Sequence, residues 1–356
     1  MQFKVTINYG GIALIRIITE HGFPTSIYRY AMDLNKSLPE SQVILLLTRP
    51  DIYKNKDNLV CYQGFKHFGI LNKYFNYLSW GIAFRDLWKY LRSEDDIVHY
   101  ITPSINPVFF NDESIITMHD NPRTLLSTMY IKSAMRKRTM KTYIDKYKNF
   151  SHIIADSNYV KESLIDYGFE SEIEVIYLPV SDFSHLSTDK SILRSKLNLP
   201  LDKKLVLSVS TLQQRKNLFI LPKIMNKLGD GFQLIRVGEP IGNSISFSHV
   251  DSITLNEIYN ACDVLILPSL EEGFGYPIVE AMTVGLPVAA NNFITAKEIG
   301  REAVIICDNS VDSFADGIIQ AIDESEKLVK RGFLRAGDFT MDKFQANIRR
   351  FYRSIR

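Results

Sequence analysis

The sequence is poor in cysteine, has no long apolar run and carries no excess of charge of one sign. Its three cysteines, Cys61, Cys262 and Cys307, lie far apart and match no metal-ligand spacing, which favours a reducing compartment. No stretch approaches the ~18 to 20 apolar residues of a membrane-spanning helix, and the N-terminus lacks the apolar core of a signal peptide. The net charge of +2 gives no indication of a nucleic-acid partner. We therefore expect a cytoplasmic protein, either free or peripheral on the cytoplasmic face of a membrane.

Length and apolar patterns predict two α/β domains. A chain of 356 residues exceeds the size at which one hydrophobic core usually stops growing. Strand and helix patterns alternate in both halves, as in parallel α/β domains, and the first domain is expected to end near residue 180. No G-x-G-x-x-G follows the first predicted strand, Phe3–Ile7, which disfavours a dinucleotide-dependent dehydrogenase. The glycines that do follow it, up to Gly22, indicate either a tight turn or room for a ligand.

The stretch Asp263–Ala290, DVLILPSLEEGFGYPIVEAMTVGLPVAA, has the pattern of a buried strand, a loop and a helix. Its acidic, glycine-rich loop presents backbone N–H groups and the positive end of the helix dipole above the strand. Glu272 precedes the predicted helix and Glu280 lies in its predicted first turn, so both carboxylates could flank the same opening. Backbone donors between two acceptors suit a ligand rich in hydroxyl groups, such as a sugar or a ribose.

Two further groups of residues add to this site. Arg215 and Lys216 closely follow the predicted strand Lys204–Ser210, where a guanidinium and an ammonium suit phosphate oxygens. Cations for a diphosphate and carboxylates for hydroxyls together match the parts of a nucleotide-sugar. His119, followed by Asp120, comes directly after a predicted strand, where ligands gather in open parallel sheets. A histidine there can equally be structural.

A basic helical pattern runs from Tyr130 to Phe150. Its only acid is Asp145, and apolar and aromatic residues alternate with the charges. Such a helix can lie on an anionic membrane or receive a phosphate-bearing acceptor, whereas a solvated helix face is the more common outcome for a charge run. The basic residues are Lys132, Arg136, Lys137, Arg138, Lys141, Lys146 and Lys148.

The segment EEGFGYPIVEAM, with seven residues between Glu272 and Glu280, resembles the E-x7-E motif of retaining GT-B glycosyltransferases of glycosyltransferase family 4. The segments VSTLQQRKNL, NEIYNACDVLILPS and VGLPVAA resemble the surroundings of that motif. A weaker likeness extends through HDNPRTLL, ADSNYVKESL and the region of Gly22. The resemblance therefore covers most of the chain, and its specific part lies in the second half.

This resemblance implies a GT-B architecture, in which two Rossmann-like domains with parallel sheets face each other across a cleft. We expect an acceptor-side domain at residues 1–180, a nucleotide-sugar-binding domain at 181–338 and a terminal helix at 339–356 that returns to the first domain. By the same resemblance Glu272 contacts the donor sugar, Glu280 holds the ribose, and Arg215 and Lys216 neutralise the diphosphate. One departure is Thr211, which stands where many members carry an arginine. The remaining implied site residues are His119 near the reacting sugar and, for nucleotide-sugar binding, Gly22, Gly238, Gly273, Phe274, Gly275 and Tyr276.

The implied activity is transfer of a hexose, as by a mannosyltransferase or a glucosyltransferase, from a UDP- or GDP-linked donor to a glycan or lipid-linked acceptor with retention of configuration. No Asp-x-Asp triplet occurs in the sequence, which disfavours the metal-dependent GT-A class. We expect no metal ion and no cofactor beyond the donor substrate. Two alternatives remain open: a sugar-nucleotide epimerase or phosphorylase on the same scaffold, and a non-catalytic protein that binds a nucleotide-sugar or glycan.

Overall fold

The computed structural model describes residues 15–19, 26–38, 41–47, 59–63, 97–103, 114–127, 133–248 and 250–355. Within these ranges the strands form two parallel sheets, one of seven strands in the first half of the chain and one of six in the second. The prediction of an α/β protein with two parallel sheets is therefore confirmed.

The first sheet has its central strands buried on both faces. In β4 and β5 all four residues are buried, as expected for the apolar runs of parallel strands that helices cover on both sides. The strand order is β3-β2-β1-β4-β5-β6-β7. The strands are β1 (Ile15–Thr19), β2 (Ser41–Leu47), β3 (Leu59–Gln63), β4 (Ile97–Tyr100), β5 (Ile115–Met118), β6 (His152–Ala155) and β7 (Ile173–Val175), and the helices are α1 (Ser26–Ser37), α2 (Pro122–Leu125), α3 (Ala134–Tyr147) and α4 (Asn158–Asp166).

The second sheet reverses its strand order between β8 and β11, which are direct neighbours in the order β10-β9-β8-β11-β12-β13. In open α/β sheets ligands bind outside the carboxyl ends of the strands at such a point. The strands are β8 (Lys204–Val209), β9 (Phe232–Val237), β10 (Ile245–Phe247), β11 (Val264–Leu267), β12 (Val288–Asn291) and β13 (Val304–Cys307), and the helices are α5 (Lys190–Lys196), α6 (Leu221–Leu228), α7 (Ser252–Ala261), α8 (Tyr276–Val284), α9 (Ile294–Gly300), α10 (Val311–Asp323), α11 (Ser325–Ala336) and α12 (Met341–Ile355).

Some elements differ from the sequence-based expectation. The predicted strand Phe3–Ile7 lies outside the described residues, and β1, β3 and β10 are not predicted, because short apolar runs carry too little periodicity to identify them. The sequence pattern from Val311 to Lys330 predicts one helix, whereas the structure has two helices there, α10 and α11. The break is at Glu324, whose φ of −89° and ψ of 14° depart from the helical region.

The terminal helix α12 packs on the first half of the chain. Arg349 Nε donates to the carbonyl oxygen of Ser37 at 3.0 Å, and the Tyr352 hydroxyl lies 2.6 Å from His99 Nδ1. His99 is fully buried, and this burial lowers its pKa to about 3, so the imidazole is neutral. The N–H of Val180 donates to the carbonyl oxygen of Phe339 at 3.0 Å, which joins the two chain segments that pass between the sheets. The exact domain limits at residues 180 and 338 remain predictions.

Candidate active site

Arg215, Lys216 and Glu272 meet where the neighbouring strands β8 and β11 end. Arg215 Nη1 lies 2.7 Å from Glu272 Oε2, and Lys216 Nζ lies 2.6 Å from Glu272 Oε1. The two cations belong to a short 3-10 helix after β8, Gln214–Lys216, and the glutamate to the loop after β11. The structure thus brings Glu272 together with two predicted site residues that precede it by more than 50 positions in the chain. We call Arg215, Lys216 and Glu272 the charged cluster.

Glu272 is an ionised carboxylate in a nearly buried position. It is 6% exposed, and burial alone would raise its pKa. Lys216 and Arg215 outweigh this effect, together with a hydrogen bond from the Ser269 hydroxyl, and lower the pKa to about 2. Glu272 is therefore negatively charged at neutral pH, and it accepts hydrogen bonds from both Arg215 and Lys216.

The glycine-rich loop, residues 271–276, is fixed from the side of the second sheet. The Thr295 hydroxyl donates to the carbonyl oxygen of Glu272 at 2.7 Å, and Asn291 Nδ2 donates to that of Ser269 at 3.0 Å. The last glycine of the loop, Gly275, has a φ of 90°, in the left-handed region that favours glycine. The next residue, Tyr276, is also the first residue of α8. Phe274 is buried between the rings of Tyr276 and Phe339. These bonds hold the loop backbone in place before any ligand binds.

Gly273 brings this loop into direct contact with the first domain. The Ser157 hydroxyl donates to the Gly273 carbonyl oxygen at 2.6 Å. A Cβ atom added to Gly273 would lie 1.5 Å from the carbonyl oxygen of His119, a separation that real Cβ atoms never show. Only glycine allows the backbone of the loop to approach the end of β5 this closely.

His119 stands at this contact, at the carboxyl end of β5. Its Nδ1 lies 3.2 Å from Asp156 Oδ2, and its ring meets that of Tyr30 edge-on at a centroid distance of 4.9 Å. The next residue, Asp120, interacts electrostatically with the charged cluster: burial raises the pKa of Asp120, Arg215 lowers it and Glu272 raises it. Asp120 is not among the site residues implied by the resemblance, and the structure places it within electrostatic reach of the cluster.

Glu280 has different surroundings from Glu272. It is the fifth residue of α8, beyond the first turn in which the sequence placed it. Arg29 Nη1 lies 2.9 Å from one carboxylate oxygen, and the Tyr259 hydroxyl donates to the other at 2.7 Å. Arg29, on α1, also stacks on Tyr276 with its guanidinium carbon 4.7 Å from the ring centroid. Sequence reasoning missed Arg29, and nothing in its local pattern signals a partner 251 positions away.

Two further glutamates of the second domain are bound by the first. Glu271 accepts hydrogen bonds from the hydroxyls of Thr124 and Tyr159. Glu298 accepts from the backbone N–H groups of Asn158, at 2.7 Å, and Tyr159, at 3.0 Å, at the start of α4. A carboxylate at a helix N-terminus satisfies unpaired N–H groups and interacts favourably with the helix dipole. Together with the pair Arg29–Glu280, these contacts hold the two domains against each other.

Two predicted site glycines, Gly22 and Gly238, lie outside the glycine-rich loop. Gly22 lies outside the described residues. Gly238 has a φ of 129°, and a Cβ atom there would lie 2.3 Å from the carbonyl oxygen of Ser210, so this glycine permits close approach between the ends of β9 and β8. Its role in ligand binding remains a prediction. Across the part of the chain that is described, no group of three or more His, Cys, Asp or Glu side chains is placed to hold a metal ion.

Part of the second half of the chain is similar to a known protein family. Residues 189–332 match the family model described as glycosyl transferases group 1. O-antigen chain mannosyltransferase B of Escherichia coli is 31% identical over 115 residues, which are 31% of this chain and 30% of that protein. The match to another curated relative is of similar extent, so the chain spans about a third of the length of these relatives.

Solved structures resemble the whole chain. Sucrose-phosphate synthase from Thermosynechococcus elongatus gives a TM-score of 0.77 at 18% identity, covering 96% of this chain and 99% of its own. Anabaena Alr3699/HepE in complex with UDP and glucose gives 0.78 at 19% identity, covering 96% and 100%. At these identities the likeness concerns the fold, and it confirms the predicted GT-B architecture.

The segment that matches the family model contains only part of the site. The family match includes the charged cluster, the glycine-rich loop and Glu280. Arg29, His119 and Asp156 lie before it, in the first domain. The contact at Gly273 therefore joins the two parts of the candidate site.

Proposed function

We propose that the protein is a retaining glycosyltransferase that moves a hexose from a UDP- or GDP-linked donor to a glycan or lipid-linked acceptor. The observation that carries the proposal is the charged cluster, in which a buried carboxylate of the glycine-rich loop pairs with two cations at the switch point of the second sheet. The family match and the UDP and glucose bound to the Anabaena neighbour support a nucleotide-sugar as the donor.

The cations serve the leaving group in this proposal. The bond from the anomeric carbon to the phosphate oxygen breaks with its electron pair going to the diphosphate, which leaves positive charge on the sugar ring. Lys216 and Arg215 stabilise the departing negative charge, because preorganised donors in a water-poor site act most strongly where charge develops. Lys216 already donates two bonds to Glu272, and an ammonium can donate a third. The acceptor oxygen bonds to the anomeric carbon on the same face, and its proton passes to the diphosphate.

The carboxylates serve the hydroxyls. When Arg215 and Lys216 interact with the diphosphate, Glu272 can accept hydrogen bonds from the hydroxyls of the sugar. The backbone N–H groups of residues 273–276 follow Glu272 in the same loop. Glu280 is proposed to hold the ribose, which requires the nucleotide to replace or share the bonds from Arg29 and Tyr259. The reaction is proposed to need no metal ion, in line with a sequence that has no Asp-x-Asp triplet.

A panel of UDP- and GDP-sugars tests the proposal. We expect one nucleotide-sugar to raise the melting temperature, since a ligand that binds only the folded state stabilises it. With that donor and a lipid or glycan acceptor fraction, nucleoside diphosphate should be released with EDTA present, at a rate that depends on the acceptor. An epimer formed from donor alone, or release that requires inorganic phosphate, would instead identify an epimerase or a phosphorylase. Donor binding without any release would identify a non-catalytic binding protein.

We also propose that the start of α3 contacts an anionic membrane on the cytoplasmic side. Residues 133–138 are all exposed, Met135 is 70% exposed and Arg136, Lys137 and Arg138 follow it. Lys132 lies outside the described residues, and no helix in the described ranges is long and apolar enough to cross a bilayer. A helix that presents basic residues and an apolar side chain binds such surfaces.

Vesicle sedimentation tests this contact. The wild-type protein is expected to sediment with phosphatidylglycerol vesicles and not with phosphatidylcholine vesicles. The double variant R136E/K137E should lose this binding, whereas K223E/K330E, which reverses two exposed lysines elsewhere, should retain it. Equal loss in both double variants would indicate net charge alone and contradict a specific surface on α3.

A further inference from the structure

Asp156 and His119 form a buried pair whose geometry follows from the sheet. In the register of β5 and β6, Met118 pairs with Ala155. The residues that follow these partners, His119 and Asp156, therefore leave the sheet side by side. Their side chains meet at 3.2 Å between Nδ1 and Oδ2, with the aspartate side chain 2% exposed and the histidine 14% exposed.

The pair is held from several directions. The Asp156 backbone is followed by Ser157, whose hydroxyl oxygen accepts from the N–H of Val160 at the start of α4 and also donates to the Gly273 carbonyl oxygen. The imidazole ring of His119 lies edge-on to Tyr30, and the Tyr30 hydroxyl lies 2.9 Å from Thr117 Oγ1. The ring has little freedom to rotate away from Asp156.

The other ring nitrogen is available for a substrate. His119 Nε2 is buried and has no hydrogen-bond partner among the residues that the structure describes. Buried polar atoms normally have partners, so an unpartnered one calls for an explanation, and a bound substrate atom would supply it. The backbone of His119 also approaches the glycine-rich loop at Gly273, so the residue lies at the candidate active site.

We propose that Asp156 is a positioning residue that fixes His119 in the tautomer with its proton on Nδ1, so that Nε2 accepts a hydrogen bond from a substrate hydroxyl. A carboxylate only accepts hydrogen bonds, so the facing Nδ1 must donate, and the second nitrogen of a neutral imidazole is then an acceptor. The role of Nε2 toward a hydroxyl rests on the proposed sugar transfer. The tautomer itself does not.

The charge state of Asp156 agrees with this role at neutral pH. Burial raises its pKa to about 6, and the hydrogen bond from His119 acts in the opposite direction. Above pH 6 the aspartate is therefore mostly ionised and accepts the Nδ1 proton as a charge-assisted hydrogen bond.

Two measurements test the proposal. The first is ¹⁵N NMR of histidine-labelled protein, in which the signal of His119 is identified among the seven histidines by its absence in His119→Gln. The wild type should carry the proton on Nδ1, and Asp156→Ala should shift His119 to the Nε2-protonated form. The second is steady-state kinetics, in which Asp156→Ala should lower kcat by about 10²-fold, in the range of proton-positioning effects, with the KM for the donor nearly unchanged.

Asp166→Asn is the matched control, because it neutralises an exposed aspartate at the end of α4 and should alter neither the tautomer nor kcat. An Nε2-protonated wild type, or Asp156→Ala with both tautomer and kcat unchanged, would overturn the proposal. If Asp156→Ala fails to fold, the wild-type tautomer alone decides. If the wild type transfers no sugar, the proposed function fails, while the NMR result still decides the role of Asp156.

Discussion

Lys216→Ala is expected to lower the rate of sugar transfer by about 10²- to 10³-fold, the usual effect of removing one preorganised donor from a developing negative charge. The ammonium lies 2.6 Å from Glu272 Oε1, and beyond its two bonds to this carboxylate it has a third N–H to donate to the diphosphate. Its loss also leaves Glu272 with Arg215 and Ser269 as partners, which raises the pKa of this carboxyl toward its usual value.

The measurement is release of nucleoside diphosphate at saturating donor, combined with the melting temperature. Lys196→Ala is a suitable control, since Lys196 also pairs with a glutamate at 2.6 Å but its side chain is 60% exposed and remote from the strand ends of the site. Wild-type turnover in a folded Lys216→Ala protein would contradict the proposal that Lys216 stabilises the departing diphosphate. Loss of turnover in Lys196→Ala would point to a general effect of lost lysine charge.

Gly273→Ala is expected to reduce transfer by about 10²-fold or more, as does a displacement of catalytic groups by roughly 1 Å. The added Cβ would lie 1.5 Å from the carbonyl oxygen and 2.7 Å from the carbonyl carbon of His119. Both are backbone atoms at the end of a buried strand, so neither can turn aside as a side chain would. The glycine-rich loop must withdraw from the first domain, and the bond from Ser157 to the Gly273 carbonyl oxygen breaks.

Kinetics and small-angle X-ray scattering test this expectation. We expect a lower kcat and a larger radius of gyration, because the contact between the glycine-rich loop and the end of β5 is lost. Gly231→Ala is the matched control: its added Cβ meets nothing within 4 Å, and the residue lies in the turn before β9. A Gly273→Ala protein with normal turnover would show that the loop contact with His119 is dispensable.

The charged cluster could be predicted from the sequence because its members follow apolar runs that are typical of adjacent parallel strands. Arg215, Lys216 and Glu272 each lie within seven residues after such a strand. Strand ends converge on one edge of a sheet, so local patterns were sufficient to place these three residues at one site.

The contacts between the domains could not be predicted in this way. The pair Arg29–Glu280 joins residues 251 positions apart, and the bonds to Glu298 span about 140 positions. Each depends on how two separately folded sheets face one another, which no local periodicity encodes. The sequence pattern predicts His119 at a strand end, but only the register of β5 and β6 shows that its side chain meets that of Asp156.

The hydrogen bond from Val180 to Phe339 has a consequence for the mechanics of the molecule. The polypeptide passes from the first domain to the second at Val180 and returns to the first at Phe339. This hydrogen bond joins the two connecting segments at one place. Because these two connecting segments lie side by side, we expect the domains to rotate relative to each other about an axis through both segments. Sliding or twisting of one domain against the other would strain both segments. A cut in the segment at Val180 would leave the two halves joined only by noncovalent contacts, among them those of α12 with the first domain. A cut in the segment at Phe339 would leave the two sheets covalently connected through Val180.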